Sequence, residues 1–361
     1  MIPYESLSRL NHPFEDEFRK KFDEFLEKGH YILGPELEKF EQEFAAYHHV
    51  KYCTGVSNGL DALILALKSF GLPEGSEIIV PSNTYIATIL AVVACRMKPV
   101  LVEPTIRSYN IDPTKIEAAV TPLTKAILVV HLYGKVCDMD PILEIKKKHN
   151  LYLLEDCAQA HGATYKNRLA GTFGEMSAFS FYPTKNLGAL GDAGAVLCNE
   201  EGYRSSLLHL RNYGSNKKYY NDVIGFNNRL DELQASLLSV KLNYLNQMNN
   251  HRNKLADLYL NGLSSRYILP LKDADHYDVY HIFNIRFPQR DRLQKYLQDK
   301  GIGTVIHYPV PPQRQKAMAG ILDGQEFPIA DEIHQTTLSL PCSFCHKEEE
   351  IREVIKALNE F

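Results

Sequence analysis

The stretch AILVVHLYGKVCDMDPILEIKKKHNLYLLEDCAQAHG, Ala126 to Gly162, contains one complete strand, helix and strand unit. Ala126 to Val130 is a short apolar run and Met139 to His149 has a helical pattern. Leu151 to Leu154 is a second apolar run, closed by Glu155 and Asp156. Outward from it, further short strand-like runs lie at Glu77 to Val80, Val100 to Val102, Ser177 to Ser180 and Ala195 to Cys198. They alternate with helical patterns at Leu60 to Phe70, Ile86 to Arg96 and Pro113 to Val120. That order predicts an α/β fold, with a large domain whose mainly parallel sheet is flanked by helices on both faces. Apolar residues at helical spacing from Arg229 to about Leu260 predict one long connecting helix. Beyond it, Ile282 to Phe287, Arg290 to Lys300, Gly303 to His307 and Glu348 to Leu358 predict a smaller C-terminal α+β domain. The boundary falls near residue 245, giving domains 1–245 and 246–361.

The 361 residues, 45% apolar and 23% charged, suit a soluble two-domain globular protein and argue against disorder. With 40 Lys and Arg against 44 Asp and Glu, the net charge of -4 gives no general attraction to nucleic acid or to an anionic membrane. An anionic ligand must therefore be gripped locally. The start, Met1-Ile2-Pro3-Tyr4-Glu5, lacks the basic and apolar pattern of a signal peptide, and the apolar run Ile86 to Val102 is broken by Arg96 and Lys98. Seven scattered cysteines read as reduced thiols, so a cytoplasmic location is expected. Cys342-Ser343-Phe344-Cys345-His346 has the form of a haem attachment site, but without an export signal it reads as chance spacing. No second ligand pair stands at zinc-finger spacing, so no metal is expected. The pair His48-His49 reads as a solvated helix end.

Three segments carry candidate chemistry. In Ser180-Phe181-Tyr182-Pro183-Thr184-Lys185-Asn186-Leu187-Gly188, a lysine follows a strand end among small residues. Desolvation there lowers an amine's pKa and frees it to attack a carbonyl; taken alone, the segment reads first as a surface lysine in a glycine-rich turn. In Leu153-Leu154-Glu155-Asp156-Cys157-Ala158-Gln159, an acidic residue ends a strand, where open α/β sheets hold their ligands. A buried carboxylate in that place can keep a pyridinium nitrogen protonated, with Gln159 positioned for a ring substituent; the other reading of Asp156 is a helix cap. In Gly55-Val56-Ser57-Asn58-Gly59-Leu60, a small polar turn leads into an apolar helix. It reads as a phosphate site or as an ordinary capped helix, and it is not a G-x-x-x-x-G-K loop.

These segments, with Asn83-Thr84-Tyr85-Ile86-Ala87-Thr88, resemble the DegT family of sugar-nucleotide aminotransferases, which are fold-type-I pyridoxal-phosphate enzymes. The resemblance spans nearly the whole chain, from Tyr31-Ile32-Leu33-Gly34-Pro35 through His131-Leu132-Tyr133-Gly134 and Gly225-Phe226-Asn227-Asn228-Arg229 to Ile306-His307-Tyr308-Pro309. It implies that Lys185 forms a Schiff base with pyridoxal 5'-phosphate, that Asp156 pairs with the pyridine nitrogen and that Gln159 contacts the ring hydroxyl. Tyr85 would stack on the ring, and Ser180 with the amides of Gly59 and Leu60 would hold the phosphate. Asn227 matches a residue that reaches the neighbouring subunit's phosphate, which implies a homodimer with shared sites.

The activity the resemblance implies is transfer of nitrogen from L-glutamate to a keto sugar carried on a nucleotide, with Lys185 also shuttling the proton. Relatives that remove a hydroxyl carry histidine at the lysine position, so dehydration is disfavoured. Ser180-Phe181-Tyr182-Pro183 and Gly188-Ala189-Leu190-Gly191-Asp192-Ala193-Gly194 resemble enzymes that aminate C-3 of a dTDP-linked 3-keto-6-deoxyhexose. Enzymes that aminate C-4 often carry histidine at the Tyr182 position. The expected product is a dTDP-3-amino-3,6-dideoxyhexose for surface polysaccharide assembly. Tyr182, Arg229, His307 and Tyr308 are the candidates for gripping the substrate, each with a structural role as the other reading. His131 and His161 are equally open between substrate and core. A noncatalytic homologue would have no reason to keep Asp156, Gln159 and Lys185 together.

Overall fold

A computed structural model describes all residues, Met1 to Phe361. A seven-stranded sheet forms its centre. In chain order the strands are β1 (Tyr52–Val56), β2 (Glu77–Pro81), β3 (Lys98–Val102), β4 (Thr124–Val130), β5 (Tyr152–Asp156), β6 (Met176–Ser180) and β7 (Gly194–Cys198). Their order across the sheet is β1-β7-β6-β5-β4-β2-β3. The four pairings among β2 to β6 are parallel, and only β7 runs against its neighbours β1 and β6. Both faces are buried. Ile127, Val129, Leu153 and Leu197 enter one core, while the alternating Ala126, Leu128, Leu154 and Val196 enter a second. Such two-sided burial is why these strands read as continuous apolar runs. The mainly parallel sheet flanked by helices matches expectation, although the edge strand β1 lies outside the predicted runs.

Helices α1 (Glu15–Lys28) and α2 (Pro35–His48) precede the sheet, α3 (Gly59–Ser69), α4 (Ile86–Ala94) and α5 (Met139–His149) connect its strands, and α6 (Glu201–Leu210) follows its last strand. The start of α2 is fixed at long range. Glu232, buried, accepts the amides of Gly34, Glu36 and Leu37 at 2.7–3.0 Å, which answers three N–H groups left without partners at a helix start. No helix is long and apolar enough to cross a membrane.

Three expectations need correction. The single helix from Arg229 to about Leu260 is two, α7 (Glu232–Leu242) and α8 (Leu245–Gly262). Tyr244 leaves helical geometry (φ -105°, ψ 0°), with its ring 5.2 Å from Phe14 and its hydroxyl on Glu17 at 3.0 Å. Contacts with the N-terminal segment thus break a helix whose buried face continues in register. In the small α+β part the sheet is β8 (Phe283–Arg286) paired with β9 (Thr337–Leu340), and the segment Gly303 to His307 adds one bridge to it, Val305 to Ser339. The predicted helix Pro113 to Val120 is one α turn, Pro113–Ile116, followed by a 3-10 turn. His48 is also not solvated: it is 1% exposed, its Nδ1 faces Phe44 O at 3.0 Å, and its ring packs on Phe44 and Phe179. His49 alone takes the exposed left-handed cap.

The C-terminal part adds α9 (Arg290–Asp299), α10 (Pro328–Thr336) and α11 (Glu348–Glu360). Its core gathers Leu255, Tyr259, Phe283, Leu297, Leu338 and Val354, joined by Ile2 from the other end of the chain. Glu103, just past β3, accepts the amides of Ile329 and Ala330 at 2.8 and 3.0 Å and so ties α10 to the sheet edge. The Cys342 to His346 segment is structural: His346 Nδ1 accepts the Ser343 amide at 3.0 Å and Nε2 donates to Pro3 O at 2.9 Å. Both cysteines are free thiols.

Candidate active site

The carboxyl ends of β1, β2, β4, β5 and β6 open on one cavity of about 510 Å³, as expected at that edge of a parallel sheet. After β1, Asn58 caps α3 by accepting the Asp61 amide at 2.9 Å, and its own amide group donates to Asp61 Oδ2 at 2.8 Å. The first-turn amides of Gly59 and Leu60 then point out of the helix without internal acceptors, at the positive end of its dipole. Gly59 is required by contact. A Cβ there would stand 2.5 Å from Ser180 Cβ, so the α3 turn and the end of β6 form one close-packed cradle.

Asp156 ends β5 and is 6% exposed. Oδ1 accepts the Ala158 amide at 3.1 Å and Oδ2 accepts Thr88 Oγ1 at 2.9 Å. Burial raises its pKa, and these two hydrogen bonds and the charge of Lys185 act against that rise. Lys185 lies in the turn after β6 with its side chain opening on the cavity. Burial lowers its pKa to about 8, a fall only partly opposed by the charges of Asp156 and Glu5. An amine so placed loses its proton far more readily than an ordinary lysine and is half neutral near pH 8, as nucleophilic and general-base chemistry requires.

The opposite wall comes from residues distant in sequence. The Tyr133 amide donates to Gln159 Oε1 at 2.7 Å, which turns Gln159 Nε2 toward the Tyr308 hydroxyl at 2.8 Å. Since Tyr308 accepts that bond, its own proton is free to be donated into the cavity. The Tyr133 hydroxyl donates to His307 O, and His334 Nδ1 donates to Tyr308 O at 2.6 Å. His307 Nδ1 pairs with Ser339 Oγ at 2.8 Å, and burial followed by the Lys185 charge lowers its pKa to about 4. Tyr85, 52% exposed, has its ring 5.1 Å from that of Tyr308. Tyr182, equally exposed, also lines the cavity.

The structure therefore brings Gly59, Leu60, Tyr85, Asp156, Gln159, Ser180, Tyr182, Lys185, His307 and Tyr308 together. Asn227 and Arg229 do not line their own chain's cavity. Asn227 is exposed and bridges to Asn212, while Arg229 Nη1 holds Asn212 Oδ1 at 3.0 Å with its guanidinium 5.4 Å from the Tyr213 ring centroid. His131 is a core residue: its Nδ1 accepts the Cys137 amide at 3.1 Å, leaving Nε2 to donate to Glu155 at 2.9 Å. Glu155 also accepts the amides of Gly171, Phe173 and Gly174, so this buried group is saturated without a metal. His161 is buried against Phe179 and Phe181, outside the cavity lining. Sequence reasoning gave no role to Thr88 or His281. Thr88 lies one helical step beyond Tyr85, whereas His281, within Tyr280-His281-Ile282, carries no motif.

The chain matches the model of the DegT/DnrJ/EryC1/StrS aminotransferase family over residues 13–359. It is 49% identical to a dTDP-3-amino-3,6-dideoxy-alpha-D-galactopyranose transaminase of Aneurinibacillus thermoaerophilus, covering 100% of this chain and 99% of that one. Among solved structures, DesV of S. venezuelae in complex with a ketimine intermediate superposes with a TM-score of 0.97 at 43% identity, covering 99% and 98% of the two chains. NtdA of Bacillus subtilis, with its cofactor PMP bound, gives 0.92 at 32% identity, covering 99% and 84%. Pyridoxal phosphate is the cofactor, and the residues fit it. The Gly59 and Leu60 amides and Ser180 offer a phosphate cradle that a Cβ would fill, Asp156 suits a pyridinium N–H, and the Lys185 amine suits its aldehyde carbon. With this site, and with the match running through almost its full length, the chain belongs to the DegT/DnrJ/EryC1/StrS aminotransferase family.

Proposed function

We propose that this protein transfers the amino group of L-glutamate to C-3 of a dTDP-linked 3-keto-6-deoxyhexose, giving a dTDP-3-amino-3,6-dideoxyhexose for surface polysaccharide assembly. The observation that carries the reaction class is the convergence of buried Asp156 and the amine of Lys185, its pKa lowered to about 8, on one cavity. The choice of C-3 and of dTDP is supported by the full-length likeness to a transaminase named for that product.

When bound, pyridoxal phosphate supplies an electron sink for negative charge developing at carbon. The protein does the rest. The Gly59 and Leu60 amides with Ser180 bind phosphate, and Asp156 holds a proton on the ring nitrogen by remaining ionised. Lys185 Nζ takes the proton from one carbon and delivers it to another, being close to half-protonated near pH 8. Tyr308 donates its free proton toward the substrate, neutral His307 stands beside it, and Tyr182 flanks the entrance. Asn227 and Arg229, exposed or partly so outside their own cavity, act on the neighbouring subunit's site in a homodimer. The domain boundary near residue 245 is supported by a third core that draws on Leu255 to Leu358. The reading also places the enzyme in the cytoplasm, where nucleotide sugars are made.

The test is to incubate the purified holoenzyme with glutamate and a panel of dTDP- and UDP-linked 3-keto and 4-keto sugars, then identify the product by mass and NMR. A 3-amino-6-deoxy product from the dTDP sugar supports the proposal. Amination at C-4 overturns the regiochemistry, and turnover by Lys185→Ala overturns the chemistry.

A further inference from the structure

His281 lines the cavity between Lys185 and His307, and nothing above assigns it a task. Its hydrogen bonding is fixed by a chain of amides that ends on two backbone carbonyls, which can only accept. Asn249 Nδ2 donates to His161 O at 2.8 Å, so Asn249 Oδ1 faces Asn186. Asn186 Nδ2 donates to that oxygen at 2.8 Å and to Val279 O at 2.9 Å, which uses both of its hydrogens. Asn186 Oδ1 is thereby turned to His281 Nδ1, 3.2 Å away, and an amide oxygen can only accept. Nδ1 must carry the hydrogen. Burial, with the charges of Lys185 and Arg252, drives the pKa of His281 well below its ordinary value and keeps the ring neutral. Nε2 is then a lone pair with no protein partner, on a side chain that lines the cavity.

We propose that His281 recognises the acceptor sugar, its Nε2 accepting a hydrogen bond from a ring hydroxyl adjacent to the carbon that is aminated. This rests on the keto-sugar reading above. A neutral acceptor has little to offer the carboxylates of the amino donor, which are acceptors themselves, whereas a sugar brings hydroxyl donors on both neighbours of its ketone. The fixed tautomer makes the site selective. A sugar lacking that hydroxyl leaves Nε2 dry and unpaired, which is the situation that binding sites discriminate against most strongly.

The experiment measures kcat/KM of the holoenzyme for a dTDP-3-keto-6-deoxyhexose and for its 2-deoxy and 4-deoxy counterparts, with glutamate saturating. Wild type is expected to lose about tenfold on one of the two deoxy sugars. His281→Phe is expected to use the parent and that deoxy sugar equally well, and His281→Gln, which retains an acceptor oxygen, to restore part of the preference. KM for glutamate should stay within about twofold throughout, because the donor makes no use of this group. The proposal falls if wild type accepts both deoxy sugars as readily as the parent, if the Phe and Gln variants keep the full wild-type preference, or if the loss appears only with glutamate. Should His281→Phe fail to fold, the Gln comparison with wild type decides alone. A wild type that aminates only 4-keto sugars contradicts the regiochemistry of the preceding section; the same comparison is then made with that sugar's 3-deoxy form, where a loss of about tenfold that His281→Phe abolishes upholds the role of His281 and equal use by wild type overturns it.

Discussion

Thr88 Oγ1 donates to Asp156 Oδ2 at 2.9 Å, and Thr84 Oγ1 lies 2.8 Å behind Thr88, so a line of two hydroxyls, one from α4 and one from the segment just before it, ends on the strand-end carboxylate. Thr88→Val should therefore raise the Asp156 pKa beyond the rise that burial already causes. The ionised form is the active one, so activity falls as pH drops through that pKa, and the acid limb of the kcat profile should move to higher pH. A hydrogen bond to a charged group contributes about 1.5–3 kcal/mol, so kcat should drop by up to about ten- to a hundredfold on that acid limb, with the high-pH plateau little changed. An unchanged pH profile would rule out this role for Thr88.

Gly59→Ala places a methyl 2.5 Å from Ser180 Cβ and 3.2 Å from its Cα, where backbone has to move. We expect cofactor affinity, read by absorbance titration of the apoenzyme, to weaken by about tenfold or more while the far-UV spectrum stays native.

Lys185 links stability to pH. Its folded pKa is about 8 against an ordinary 10.5, so between those values the unfolded chain binds more protons and stability of the apoenzyme rises with pH. Below pH 8 the wild type carries the full cost of its buried charge, on the order of 3 kcal/mol. Lys185→Met should be more stable than wild type at pH 7 by chemical denaturation, with the gap closing toward pH 10. Lys241, also lowered to about 8, is common to both proteins and cancels.

Complementation tests whether Asn227 serves the neighbouring subunit. Lys185→Ala and Asn227→Ala should each be weak or inactive alone. Refolded together they should recover up to about a quarter of wild-type activity, because each mixed dimer regains one complete site. Recovery of none would place Asn227 outside the shared site.

The strands of the parallel sheet were legible because burial on both faces writes continuous apolar runs, as in Ala126 to Val130. Asp156, Gln159 and Lys185 were legible because strand ends are marked by a change from apolar to polar residues. The break at Tyr244 was not, since it depends on Phe14 and Glu17, over two hundred residues away in sequence, while periodicity senses only neighbours. For the same reason His48 was misplaced: its burial is imposed by Phe179 across the fold. His281 escaped because its partner chain, Asn186 to Asn249 to His161, joins three distant segments that no local pattern connects.

The hold of Tyr133, Gln159 and His334 on His307 and Tyr308 has a kinetic consequence. With Glu103 securing α10, that wall of the cavity is already set in the free protein, and the entropy of ordering it is lost during folding and not on each encounter. Binding can then proceed without waiting for a slow closure of this wall. A sugar that mismatches it meets a rigid misfit, so poor substrates should be distinguished chiefly by how fast they leave.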